Sequence, residues 1–158
     1  PWTESENHDY GHQNTISPDI MNQLLLHKEK CKNQNLASPN VLIVDCRFKY
    51  EYEGGHIKNA ININCKSDLE KSFFGSKSTT ESLMKQKTII IFTVNLAKKE
   101  ASSYSILRGT DRHFNEEVYP ALFYPEIYVL ENGYSEFFKK YPEWCVGGYT
   151  KMNDMPQN

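Results

Sequence analysis

The sequence has 158 residues and a formal net charge of −2, from 20 acidic and 18 basic side chains. This length predicts one domain with a hydrophobic core of its own. The small net charge, without a run of lysines or arginines, argues against a nucleic-acid-binding surface, and no apolar stretch approaches the length of a membrane span. We therefore expect a globular domain that binds neither nucleic acid nor membrane and is a monomer in isolation.

The ends of the chain differ from its middle. Residues 1–14 are polar and predict a flexible lead-in, residues 15–145 carry the domain, and residues 146–158 lack periodicity and predict an irregular tail. Because the first residue is Pro1 rather than Met, we expect the sequence to be part of a longer chain.

The four cysteines are scattered along the chain at Cys31, Cys46, Cys65 and Cys145. They form no CxxC pair and no metal-ligand spacing, so we predict no metal site and no cofactor. This usage is typical of reduced thiols in a cytoplasmic or nuclear protein.

Helices and strands alternate along the first half of the chain. Ser17 is a favourable N-cap with Pro18 at the first helical position, which predicts a helix that runs to about Lys30. The later elements predicted here are a buried strand at Val41–Val44, a helical turn at Tyr50–Glu53 that stops at Gly54-Gly55, and a strand at Ala60–Ile63.

The second half centres on a predicted buried strand, Thr88–Phe92, followed by a loop at Thr93–Lys99 and a helix at about Glu100–Arg112. The other predicted elements are helices at Ser67–Phe74, Thr80–Lys85 and Tyr134–Lys140 and a strand at Ile127–Leu130. Strands that alternate with helices predict a small α/β domain with a mostly parallel sheet. A strand that leads into a helix through a short loop also creates a natural anion site.

The stretch from residue 45 to residue 60 reads DCRFKYEYEGGHIKNA. It closely resembles the catalytic domain of the M-phase inducer dual-specificity phosphatases, which remove inhibitory phosphates from cyclin-dependent kinases. The resemblance continues through residues 119–138 and covers nearly the whole chain. It implies the rhodanese fold, a three-layer α/β domain with a central, mostly parallel five-stranded sheet flanked by helices.

The family's signature loop reads His-Cys-Glu, four further residues and Arg, and this chain departs from it. Thr93, Val94 and Asn95 take the positions of the His, the nucleophilic Cys and the acidic Glu. Counted back from the helix, Lys99 falls at the position of the phosphate-binding Arg, in a loop one residue shorter. Without that deletion, Glu100 takes the Arg position.

Each change removes a different part of the chemistry. Val94 has no lone pair with which to attack phosphorus, and Asn95 has no proton to donate as an acid. Lys99 supplies a point charge rather than a two-point fork. We therefore predict no catalytic residue in the degenerate loop, which comprises Thr93, Val94, Asn95, Leu96, Ala97, Lys98, Lys99 and Glu100. A turn without a ligand, a weakened anion site at Lys98 and Lys99, and a different catalytic chemistry remain as alternatives.

The resemblance assigns structural roles to Asp45, Cys46, Arg47, Glu53, Gly54, Gly55 and His56. Asp45 and Arg47 are expected to buttress the loop and the turn that follows. Cys46 resembles a thiol that can form a disulfide with the nucleophile, a partner that Val94 removes. His56 is predicted to be a hydrogen-bonded structural residue rather than a base.

Arg108, Arg112 and Tyr119 match positions that resemble the family's remote docking surface for the cyclin-dependent kinase. The alternative is that they are ordinary solvated side chains on a helix face. Residues 115–118 insert about two residues before Tyr119 relative to many members of the family.

Three classes of function are compatible with these observations. The first is a pseudophosphatase that binds a cyclin-dependent kinase–cyclin complex or another cell-cycle partner. The second is a rhodanese-like interaction module of a larger protein, such as a ubiquitin protease. The third is a residually active phosphatase that uses Cys46 or another thiol.

Overall fold

A computed structural model describes residues 14–94 and 102–149 of the chain. Within these ranges it contains six α-helices and seven β-strands. The helices are α1 (Pro18–Asn33), α2 (Lys49–Gly54), α3 (Lys66–Phe74), α4 (Lys77–Lys85), α5 (Ser103–Phe114) and α6 (Gly133–Lys140). The strands are β1 (Thr15–Ile16), β2 (Val41–Asp45), β3 (Gly55–Ile57), β4 (Ile61–Asn62), β5 (Ile89–Thr93), β6 (Ile127–Leu130) and β7 (Cys145–Gly147).

The main sheet has five parallel strands in the order β1-β6-β5-β2-β4. The central pair, β5 and β2, is in register from Ile89 opposite Val41 to Thr93 opposite Asp45. Strand β5 therefore continues one residue beyond the predicted end at Phe92. The prediction of an α/β domain with a central five-stranded sheet is confirmed, and the sheet is parallel throughout.

Alternate residues of the central strands supply the two faces of the sheet, because successive side chains of a strand point to opposite sides. Ile43 and Ile91 face one way, and Val44 and Phe92 face the other. The first cluster includes Met21 of α1 and Tyr134 and Phe137 of α6, and the second includes Leu69 and Phe73 of α3 and Tyr104 and Leu107 of α5. The sheet is thus the middle of three layers.

Serine side chains cap the starts of α1, α4 and α5. The Ser17 hydroxyl accepts a hydrogen bond from the Ile20 N–H at 3.1 Å, which confirms the predicted start of α1. Ser102 caps α5 in the same way and has extended backbone, so α5 does not begin near Glu100 as predicted. The helix also continues to Phe114, beyond its predicted end.

Strands β3 and β7 form a second, antiparallel sheet. The predicted domain boundary at residue 145 falls inside this pairing, because β7 continues to residue 147. Beyond the strand, the Gly148 N–H donates to the Gly54 carbonyl at 3.1 Å. Residues 1–13 of the predicted lead-in and residues 150–158 of the predicted tail lie outside the described residues.

Candidate functional site

The carboxyl ends of β2 and β5 form the candidate site, since ligands of parallel α/β sheets bind beyond the ends of the strands. Asp45 and Thr93 end these strands and lie directly opposite each other. The Cys46 N–H donates to the Thr93 carbonyl at 2.8 Å. The structure therefore places the predicted motif at residues 45–47 next to Thr93 and Val94, the first residues of the degenerate loop.

Asp45 and Arg47 form a buried ion pair at this strand end. Arg47 Nη2 lies 2.7 Å from Asp45 Oδ2, and Nε lies 2.9 Å from Oδ1. Arg47 Nη2 also donates to the Gly55 carbonyl at 2.6 Å, and the guanidinium lies 4.3 Å from the centre of the Tyr134 ring. These contacts tie the end of β2 to β3 and to α6. The contact with Gly55 supports the turn after α2, as expected, while the expected support of the loop stays a prediction.

Two buried polar atoms near this strand end, Arg47 Nη1 and Thr93 Oγ1, have no hydrogen-bond partner among residues 14–94 and 102–149. Thr93 is 1% exposed, and its side chain points to the same face of the sheet as that of Asp45, because directly opposite residues share a face. A buried donor or acceptor without a partner costs about 1–3 kcal/mol. Thr93 thus places a buried hydroxyl, unpaired among the described residues, at the position where the family that the sequence resembles has a histidine.

Val94 is half-buried and packs against the apolar cluster that includes Phe92. Its carbonyl oxygen lies 3.0 Å from the point where a Cβ on Gly133 would be. Gly133 has a φ of 67°, which a residue without a side chain adopts readily. The start of α6 thus approaches the strand end closely, and the side chain presented there is an alkyl group.

The four thiols of the chain are free and lie in α1, directly after β2, before α3 and in β7. Cys46 is buried, and its Sγ lies 3.8 Å from the Val44 carbonyl. Burial raises the pKa of the Cys145 thiol, which disfavours the nucleophilic thiolate. Cys65 is exposed at the start of α3. None of the cysteines occupies the loop position that the family uses for its nucleophile.

The predictions about ligands fall partly outside the described residues. Residues 95–100 of the degenerate loop lie outside the described residues, so weak anion binding at Lys98 and Lys99 and the place of the deletion stay predictions. In residues 14–94 and 102–149, no group of three or more His, Cys, Asp or Glu side chains is placed to hold a metal ion. No helix in these ranges is long and apolar enough to cross a membrane.

Glu53, for which the sequence predicted a structural role, is exposed in α2, and Glu51 makes the structural contact instead. The Glu53 side chain is 61% exposed and lies 3.7 Å from Lys49, and surface pairs of this spacing contribute only about 0.3–0.5 kcal/mol. Glu51 is buried instead, and its Oε1 accepts a hydrogen bond from the Phe48 N–H at 3.1 Å. Phe48 has no side-chain acceptor, so the sequence lacks the Ser or Thr of a capping box and gave no signal that identifies Glu51.

Gly55 and His56 are held by close contacts in the turn between α2 and β3. A Cβ on Gly55 would lie 1.7 Å from the Gly148 carbonyl oxygen, so no side chain fits there. The His56 ring stacks on Tyr52 with centroids 3.9 Å apart, and its Nδ1–H donates to the Tyr52 carbonyl at 2.8 Å. His56 therefore makes structural contacts at this turn, as its motif suggests.

The three predicted docking residues divide into two groups. Arg108 donates to the carbonyls of Tyr124 and Pro125 at 2.9 and 3.0 Å, and its side chain is 15% exposed. It therefore holds the segment before β6 against α5. Arg112 lies 5.8 Å from the centre of the Tyr119 ring, and Tyr119 is 51% exposed. Only Arg112 and Tyr119 lie together as a surface pair.

Asp111 is a structural residue that sequence reasoning missed. Its carboxylate accepts hydrogen bonds from the backbone N–H groups of Phe123 and Tyr124 at 2.9 and 2.8 Å and from Asn115 Nδ2 at 2.8 Å. Burial raises the pKa of Asp111, while these donors oppose that shift by favouring the carboxylate. In the sequence, Asp111 next to Arg112 looks like an ordinary charged residue on the surface of a helix. Nothing in the local pattern indicated that Asp111 is buried.

A family model for the rhodanese-like domain matches residues 29–140. The chain belongs to this family. The rhodanese-like domain is 40% identical over 146 residues to the M-phase inducer phosphatase of Dictyostelium discoideum and 39% identical over 139 residues to M-phase inducer phosphatase 2 of Homo sapiens. The resemblance identified from the sequence is thus confirmed. These matches cover 89% and 87% of the chain but only 13% and 23% of the two relatives, so the domain spans less than a quarter of their length.

Proposed function

We propose that this rhodanese-like domain is a pseudophosphatase, which binds a protein partner and does not hydrolyse phosphate esters. The observation that carries the proposal is Val94 at the position of the nucleophilic cysteine. A thiolate attacks phosphorus through a lone pair, and an isopropyl side chain has none. Loss of the nucleophile of a hydrolase lowers turnover by about a million-fold.

Two further changes in the loop support the same conclusion. Asn95 cannot donate a proton to a leaving group, so the acid is missing as well. Lys99 can provide one positive charge, but the planar fork of an arginine is needed to hold two phosphate oxygens at once. The charge that develops in the transition state would therefore be poorly stabilised even if a nucleophile were present.

Hydrolysis of para-nitrophenyl phosphate by the purified domain tests the first half of the proposal. We expect no turnover above that of buffer, while the catalytic domain of an M-phase inducer phosphatase assayed in parallel is active. Turnover that purifies with the domain and disappears in Cys46→Ala would contradict the proposal and favour the residually active phosphatase.

Arg112 and Tyr119 are the residues through which we expect the partner to bind. Arg and Tyr are the residue types that most often dominate interface energies, and an arginine near an aromatic ring is well placed to pair with a carboxylate. The relatives are named for M phase, which suggests a cyclin-dependent kinase–cyclin complex or another cell-cycle protein. We expect the domain to act in the cytoplasm or the nucleus, where such partners occur.

Calorimetric titration of the domain with a kinase–cyclin complex tests the second half. Arg112→Ala or Tyr119→Ala should weaken binding by about thirty-fold, as expected for loss of about 2 kcal/mol. Lys139→Ala, which removes an exposed lysine of α6, is the matched control and should change little. Arg108→Ala should lower thermal stability, because two backbone carbonyls lose their donor.

An interaction module of a larger protein, such as a ubiquitin protease, is the second candidate. Val94 at the position of the nucleophile favours it as well, because a module that only binds needs no nucleophile. Binding of the kinase–cyclin complex that Arg112→Ala abolishes would count against this candidate. A folded domain that gives no heat with the complex would favour it.

A further inference from the structure

A cleft of about 310 Å³ opens between α3, α4 and α5, away from the ends of the central strands. Three aromatic rings line it: Phe74 at the end of α3, Phe114 at the end of α5 and Phe123 in the segment before β6. Met84 of α4 adds a flexible apolar side chain. This volume lies at the lower end of the range typical of ligand pockets, about 300–1,000 Å³.

The wall of the cleft offers apolar surface rather than free hydrogen-bonding groups. The Thr80 hydroxyl, which lies in the lining, donates to the Phe73 carbonyl at 2.8 Å and is thereby used within the fold. Phe114 is 57% exposed and Met84 is 38% exposed. Exposed apolar surface of this kind gains free energy when another apolar group covers it. The cleft therefore favours an apolar side chain, and the rings favour an aromatic one.

The charged residues in and next to the lining differ between the two sides of the cleft. On the α4 side, Lys77 and Glu81 lie 3.9 Å apart and compensate each other. On the α5 side, the turn that follows Phe114 carries Glu116 and Glu117, both exposed. His113 Nδ1 lies 3.9 Å from Glu116 Oε2, so one histidine stands against the two carboxylates on this side. A ligand that enters beside Phe114 therefore meets negative charge.

We propose that the cleft is a docking site for a segment of a partner protein that inserts one aromatic side chain and carries basic residues beside it. The aromatic side chain packs among the three phenylalanines, and the basic residues approach Glu116 and Glu117. This surface is separate from that of Arg112 and Tyr119, since residues two apart on a helix do not share a face. The proposal stands whether or not the domain binds a kinase.

A methyl-NMR titration tests the proposal on the protein labelled with carbon-13 at its methionine methyl groups. The probe is a blocked pentapeptide with a central tryptophan and two lysines on each side. We expect a saturable shift of the Met84 methyl signal, while that of Met21, buried in the core on the opposite face of the sheet, stays in place. A peptide with alanine in place of tryptophan should bind at least about ten-fold more weakly, since one large apolar contact is lost.

Variants separate the apolar contribution from that of the charges. Phe114→Ser should weaken binding by about ten-fold or more, while Val146→Ser, which changes an exposed apolar residue of β7, should leave it unchanged. The double variant Glu116→Lys, Glu117→Lys should lose the preference for the lysine peptide over a glutamate peptide of the same design. If Phe114→Ser unfolds, as judged by its circular dichroism melt, Met84→Gln replaces it.

Three outcomes would overturn the proposal. They are no shift of Met84 at millimolar peptide, equal binding of the tryptophan and alanine peptides, and unchanged binding by the Phe114 or Met84 variant. Equal affinity for the lysine and glutamate peptides, or for free indole, would show an apolar small-molecule cleft in place of the peptide site proposed here.

Discussion

Replacement of Thr93 by valine should stabilise the domain. The Thr93 hydroxyl is buried at the end of β5 and has no hydrogen-bond partner in the part of the chain that the structure describes. Valine has nearly the same shape and replaces the hydroxyl with a methyl group, so it removes the unpaired polar atom without opening a cavity. Both residues are β-branched and suit a strand, so the backbone preference hardly changes.

The expected gain follows from the cost of leaving a buried polar group unpaired, which is about 1–3 kcal/mol. Taking the lower half of that range, we expect Thr93→Val to raise the free energy of unfolding by about 1–2 kcal/mol. For a chain of this length, each kcal/mol corresponds to about 2–4 °C in Tm.

Urea unfolding measures this change, and Thr88→Val is the matched control. The Thr88 hydroxyl is also buried, but it donates to the Leu83 carbonyl at 2.8 Å and accepts from Asn40 Nδ2 at 2.9 Å. Its removal should lower the free energy of unfolding by about 1–3 kcal/mol, because Asn40 loses its acceptor. The two variants should therefore shift the urea midpoint in opposite directions, with similar slopes. A loss of stability in Thr93→Val as large as in Thr88→Val would mean that the Thr93 hydroxyl is hydrogen-bonded, and the reasoning would be refuted.

Three further changes test the candidate site. Gly55→Ala should destabilise the domain by about 3 kcal/mol or more, because its Cβ would lie 1.7 Å from the Gly148 carbonyl oxygen; a circular dichroism melt close to that of the wild type would contradict this. Asp45→Ala should cost about 3–5 kcal/mol in urea unfolding, since Arg47 would stay buried without its partner, whereas a loss below about 1 kcal/mol would show that the guanidinium finds another acceptor. Val94→Cys should not restore hydrolysis of an aryl phosphate, because the acid and the guanidinium are still missing. Robust turnover by that variant would refute the alignment of the loop.

Local sequence signals were sufficient for most of the secondary structure. The Ser17 cap and the following proline fixed the start of α1, because capping depends only on residues within one turn. The run from Ile89 to Phe92 identified the central strand, since a short run of β-favouring apolar residues is typical of a strand buried on both faces. The order of these elements implied a parallel sheet, and the motif at residues 45–60 resembled that of the family to which the chain belongs.

Contacts between distant parts of the chain decided what the sequence left open. Strand β7 has no periodicity of its own and forms because it pairs with β3, about ninety residues earlier. Glu51 is buried and Glu53 is exposed because α2 packs one face against the domain. The sequence of a six-residue helix is too short to show which face that is.

The candidate site shows the same division. The sequence alone determined that no cysteine directly follows β5, because Val94 occupies the position of the nucleophile whatever the fold. Only the tertiary structure decided which of the two arginines is a candidate for binding a partner. Arg108 and Arg112 are one turn apart and look equivalent in sequence, yet the carbonyls of residues 124 and 125 reach Arg108, while the ring of Tyr119 lies near Arg112. Those neighbours come from a segment beyond the helix, so no local pattern could have distinguished the two side chains.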